Sequence, residues 1–175
     1  MKHTSLRTEA EISFLFQHVR PKGPTHIGSR LKEISADYLA ELVHCRQSRV
    51  AFPKPRNYIV ITDGAPTAPD DVTNFLKTTA RLLKKLDCDP TQLGFQFVQI
   101  GEDKEATDFL TYLDNNKNFE RDIVDTVKNK GTQTMKSILR GLLGMDDSAV
   151  LCRKLLLGGI SRFHDRKGDV PTKRR

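Results

Sequence analysis

Asp63 is the residue of this chain best placed to do chemistry. It directly follows the apolar, β-branched run Tyr58-Ile59-Val60-Ile61 and Thr62, and Gly64 comes next. A carboxylate therefore stands where a strand ends, and the glycine frees the backbone to turn sharply beside whatever that carboxylate holds. Carboxylate, hydroxyl and water oxygens are the ligands a hard cation such as magnesium takes. An Asp before Gly also commonly caps its own turn through the following backbone amides, so residue type leaves both readings open. Thr25, between Pro24 and the start of a predicted helix, offers a hydroxyl. There the competing reading is a helix N-cap.

Other reactive residue types do not assemble into a site. His3, His18, His26, His44 and His164 are scattered without metal-ligand spacing, although His26 adjoins Thr25. The segment 131–137 resembles a phosphate loop only in outline, because no glycine precedes Lys136. Asp70-Asp71 and Asp146-Asp147 are sequence neighbours, which diverge on a helix and serve poorly as an acid/base pair. No Gly-x-Ser-x-Gly elbow occurs, and His44 and Cys45, adjacent on a predicted helix, do not face each other. A covalent enzyme has little support, so no catalytic residue is assigned.

The elements that must position Asp63 and Thr25 follow from apolar periodicity. Thr8 and Glu11 form a capping box ahead of Ile12, Leu15, Phe16 and Val19, a helix that ends at Pro21. A second helix is predicted over 27–43, with Leu31, Ile34, Tyr38 and Leu42 on its buried side. Residues 58–61 read as a strand buried on both faces and central in its sheet. After a turn over 64–69, Asp70 and Asp71 oppose the dipole of a helix whose stripe is Val72, Phe75, Leu76, Thr79, Leu83 and Leu86. The pattern recurs with a strand over 95–100, a turn over 101–103 and a helix carrying Ala106, Phe109, Leu110 and Leu113. It recurs again with a weaker strand over 123–127 and a helix bearing Met135, Ile138, Leu139 and Leu142. Residues 150–157 are apolar and have no assigned place. Such alternation implies an α/β fold, a parallel sheet covered by helices.

Composition bounds the function classes. A chain of 175 residues fits one core, and 37% hydrophobic with 29% charged residues excludes a disordered composition. The net charge of +7 is interleaved with Asp and Glu except in the basic tail over 162–175, which argues against a dedicated nucleic-acid groove. That tail reads as a solvated end, with a nuclear signal as the alternative. Three widely spaced cysteines, Cys45, Cys88 and Cys152, argue against a disulfide framework and for a reducing compartment. No signal-like leader and no membrane-length apolar run is present, so the expectation is an intracellular, cytoplasmic protein.

Several segments carry a resemblance. Pro21-Lys22-Gly23-Pro24-Thr25-His26-Ile27-Gly28-Ser29-Arg30-Leu31 resembles the segment of von Willebrand factor A (vWA) domains that supplies the threonine of their metal-ion-dependent adhesion site. Ile59-Val60-Ile61-Thr62-Asp63-Gly64-Ala65-Pro66 resembles the strand and loop that supply its distal aspartate. Phe97-Val98-Gln99-Ile100-Gly101 and Asp122-Ile123-Val124-Asp125-Thr126-Val127 are similar to later strands of an intracellular vWA group. The matches fall in family order over 8–144. The resemblance implies a doubly wound sheet, a bound magnesium ion held in part by Thr25 and Asp63, and a partner protein whose carboxylate completes the coordination.

The family's Asp-x-Ser-x-Ser loop has no counterpart between Met1 and Thr25. An ion would lose an Asp and two Ser, which predicts weak or no magnesium binding. The expectation is a vWA-like domain over 1–148, truncated at its N-terminal side with the first strands missing, followed by a C-terminal extension over 149–175. It could be a partial gene product, a form completed by a partner strand, or a relic that binds through its surface. An exposed edge at the strand over 58–62 would invite self-association. The expected function is a non-enzymatic protein-interaction module with an incomplete metal site. The alternative is a magnesium-dependent hydrolase or phosphotransferase using Asp63 with Glu102 or Asp103 as second carboxylate; nucleic-acid binding through the tail ranks last.

Overall fold

The computed structural model describes residues 23–115 and 119–127, together with Thr8, Ala10, Glu11, Phe14 and His18. The first long apolar stripe folds as α1, Ile27–Ser48, which buries Leu31, Ser35, Tyr38 and Leu42 one turn apart. It runs beyond the expected end at Val43 because buried Cys45 continues the stripe. Arg49 then adopts a left-handed conformation (φ 56°), and the Val50 N–H returns to the Cys45 carbonyl at 3.0 Å, closing the helix.

Strand β1, Arg56–Thr62, leads into α2, Pro69–Lys85. Pro69 opens α2 where a missing N–H costs nothing, Asp70 and Asp71 occupy its first turn, and Lys84 and Lys85 its last, each favourable to the helix dipole. Strand β2, Leu93–Gln99, helix α3, Lys104–Asp114, and strand β3, Val124–Val127, complete the described elements. The strands form a parallel sheet in the order β1-β2-β3, with Val60 opposite Phe97 and Phe97 opposite Thr126.

An α/β chain with a parallel sheet is thus observed, and one position needs correcting. The strand in the middle of the described sheet is β2, in which every residue is buried, whereas β1 pairs with β2 alone among the described strands and is mostly half-buried. The apolar, β-branched composition of β1 suggested a central strand, but β2 places Phe95, Phe97 and Val98 there instead.

One apolar cluster joins α1, α2 and α3 to the sheet face that carries Tyr58, Val60, Phe95 and Phe97. Tyr58 stacks on Phe95 at 5.5 Å, and Phe75 meets the same ring edge-on at 5.6 Å. Each fully buried phenylalanine contributes roughly 1.5–3 kcal/mol of burial. The opposite face gathers Ile59, Ile61, Ile100 and Val127 around buried Val98. Helices α1 and α2 meet without a gap at their N-terminal ends, where a Cβ on Gly28 would lie 2.8 Å from the backbone of Asp71 and Val72. Only glycine allows that approach.

At the amino end of the sheet, Gln92 Nε2 donates to the Tyr38 hydroxyl at 2.6 Å and to the Pro53 carbonyl at 2.8 Å. The Tyr38 hydroxyl lies within donating distance of the Lys54 and Gln92 carbonyls, so α1 anchors the segments that enter β1 and β2. Farther upstream, Thr8 and Glu11 form the expected reciprocal capping box, at 2.9 and 3.2 Å. The apolar face at Ile12, Leu15, Phe16 and Val19 lies outside the described residues. So do the helix with Met135, the segments 131–137 and 150–157, Cys152, the basic tail and the boundary between 148 and 149.

Candidate functional site

All three strands run parallel, so their carboxyl ends, and the loops that leave them, lie at one end of the sheet. Asp63 begins the loop between β1 and α2 and is exposed. The turn beside it is held by its neighbour: the Thr62 hydroxyl donates to the Gly64 carbonyl at 2.7 Å, and the Gly64 N–H points back to that hydroxyl at 3.4 Å. Among the described residues the Asp63 carboxylate has no hydrogen-bond or ion-pair partner. The turn-capping alternative for this carboxylate is therefore not what is observed.

Thr25 also departs from its simpler reading. The N-cap of α1 is His26, without a side-chain cap, and Thr25 contributes its carbonyl to the Ile27 N–H at 3.0 Å. Thr25 is instead tied to the Asp63 loop. Its N–H donates to Thr67 Oγ1 at 2.8 Å, and the Thr67 N–H donates to the Thr25 carbonyl at 3.1 Å. The segment that starts α1 and the loop that starts α2 are thereby joined, directly above the close approach of Gly28 to Asp71. Thr25 and Asp63 consequently sit on one loop system.

The third component follows β2. The Ile100 N–H donates to the Thr62 carbonyl at 2.9 Å, and Gly101, at φ 79°, brings its backbone beside Asp63, such that a Cβ there would lie 3.9 Å from the Asp63 carbonyl oxygen. Buried Gln99 fixes this loop: its Nε2 donates to the Asp103 carbonyl and to Thr107 Oγ1, both at 2.9 Å. Asp103 Oδ1 accepts the Ala106 N–H at 2.6 Å as N-cap of α3. Of the two proposed second carboxylates, Asp103 is thus committed to its helix, and Glu102 is exposed.

No family model, curated protein or solved structure matches this chain. The chemistry must be read from the loops themselves. Asp63 and Thr25 offer oxygen donors of the kind magnesium takes but fall short of its six ligands, and no group of three or more His, Cys, Asp or Glu side chains suited to a metal occurs among the described residues. This donor set does not hold the ion without added water or partner oxygens. His26 is exposed at the rim, Cys45 and Cys88 are buried free thiols elsewhere, and no described helix is long and apolar enough to cross a membrane.

Sequence reasoning missed Thr62, Thr67 and Gln99, which hold the loops in place. Thr67 had no local signal, since its partner is 42 residues away. Gln99 had one: a polar amide at the end of a largely apolar strand that also carries Gln96, immediately before the Ile100-Gly101 turn.

Proposed function

We propose that this chain is a non-enzymatic, vWA-like protein-interaction module whose contact surface is the loop rim around Thr25, Asp63 and residues 101–103. The observation that carries this reading is the exposed Asp63 carboxylate, without a partner among the described residues, at a strand end where three loops are tied together by hydrogen bonds. A pre-organised rim of this kind binds with little ordering cost. The metal site is incomplete: Thr25 and Asp63 supply two side chains, and magnesium would depend on water or on a partner carboxylate for the rest. The hydrolase or phosphotransferase reading needs a second carboxylate; Asp103 is taken up as a helix cap, so that reading rests on exposed Glu102 alone.

The test is calorimetric titration of the chain and of Asp63→Ala with magnesium and manganese, with melting curves at each metal concentration. The expected result is weak stabilisation, below about 1 kcal/mol at a metal concentration near its dissociation constant, that disappears in the variant. A cooperative melt indifferent to metal would remove the metal from the reading and leave a surface-binding rim. Turnover of a phosphate ester by the chain, lost in Asp63→Ala, would overturn the non-enzymatic assignment.

A further inference from the structure

The rim depends on a residue that neither composition nor motif singles out. Thr67 closes a two-point bracket on Thr25, its hydroxyl accepting the Thr25 N–H at 2.8 Å and its own N–H donating to the Thr25 carbonyl at 3.1 Å. The Asp63 loop is thereby held at both ends. Thr62 fixes the turn at Gly64, and Thr67, next to buried Pro66, fixes the end that runs into α2. From its own helix Thr25 has one tie, the Ile27 N–H donating to its carbonyl at 3.0 Å, and α1 has no side-chain cap, so the Thr25 N–H is held by Thr67 alone among the described residues.

We infer that Thr67 is the positioning residue of the rim: it holds the hydroxyl-bearing Thr25 segment in fixed relation to the Asp63 carboxylate, so that a ligand group reaching both meets a prepared site. This role rests on the rim reading of function. It assigns Thr67 no contact with the ligand. Its side chain is exposed, so replacing its hydroxyl acts on the bracket and not on the core.

The experiment compares the full chain with Thr67→Val, which removes the acceptor at nearly constant shape, and Thr67→Ser, which restores it. Amide hydrogen exchange is followed at Thr25 and, as a reference, at Phe97 in the buried middle strand. The Val variant is expected to exchange about fivefold faster at Thr25, the order set by one net hydrogen bond, with Phe97 unchanged and the Ser variant near the original rate. Exchange at Thr25 that does not change in the Val variant, or that rises equally at Phe97, would overturn the assignment.

Manganese titration of the same three proteins separates this inference from the functional reading. Binding by the original chain that weakens in Thr67→Val and returns in Thr67→Ser supports both. An original chain that binds no manganese, with the exchange pattern as expected, removes the metal and leaves the bracket established. Undiminished manganese binding in the Val variant despite a loosened Thr25 would show that Thr67 does not position the site.

Discussion

Tyr38 shows how one side chain can serve two parts of a fold. Its ring is buried in α1 under the Arg56 guanidinium, 4.3 Å from the ring centroid, while its hydroxyl reaches the segments entering β1 and β2. Burial holds its phenol above the ordinary value, opposed in part by the hydrogen bond from Gln92 and the charge of Arg56. A raised native pKa means the unfolded chain ionises first, so this contribution is complete below about pH 10 and is lost as pH rises through that value toward the native pKa. The melting temperature should therefore fall above about pH 10, and Tyr38→Phe should flatten that part of the profile. The same variant should cost about 1–3 kcal/mol at neutral pH, because Gln92 and the Lys54 carbonyl lose a buried partner. Equal alkaline slopes in the two proteins would show that another group sets the profile. The Cys88 thiol, also raised by burial, adds a loss in the same direction from a lower pH.

Among the elements, those with a strong repeating pattern were legible and those defined by single contacts were not. The α2 stripe could be read from spacing alone, and Val72, Leu76, Thr79 and Leu83 are all buried. Strand β2 was legible because its apolar run stops at Ile100-Gly101. Its true start at Leu93 was not, since Gln92 and Leu93 are recruited by Tyr38 and the sheet and not by local preference. The rank of the strands failed for a related reason: composition reports how buried a strand is, and not which neighbours it has. At the site, Thr25 and Asp63 could be named from sequence, but the tie between their loops could not, because it is made by Thr67 across a long separation. Helix α3 offers an element-scale check. Asp103→Ala removes its only described N-cap bond and should cost about 1 kcal/mol in the melt, with Gly101 shifting as its loop loosens, while Thr25 stays put. A loss confined to the noise of the melt would mean that Gln99 alone secures the loop.

For the whole molecule, stability is expected to concentrate around β2, which is paired on both sides and buried throughout. Amides from 94 to 99 should be the slowest to exchange and should approach the global unfolding rate, whereas those of the rim loops should exchange through local opening. Faster exchange in β2 than in α2 would place the stable centre in the helices instead. The strand order has a further effect on how the chain comes together. Each described strand lies beside the next one in sequence, separated by one helix, so the sheet can be laid down in the order of synthesis. Until Gln99 has left the ribosome, β1 has no parallel neighbour among the described strands. During synthesis an apolar strand is then unmated, and in this interval the nascent chain is expected to be most open to aggregation or chaperone capture.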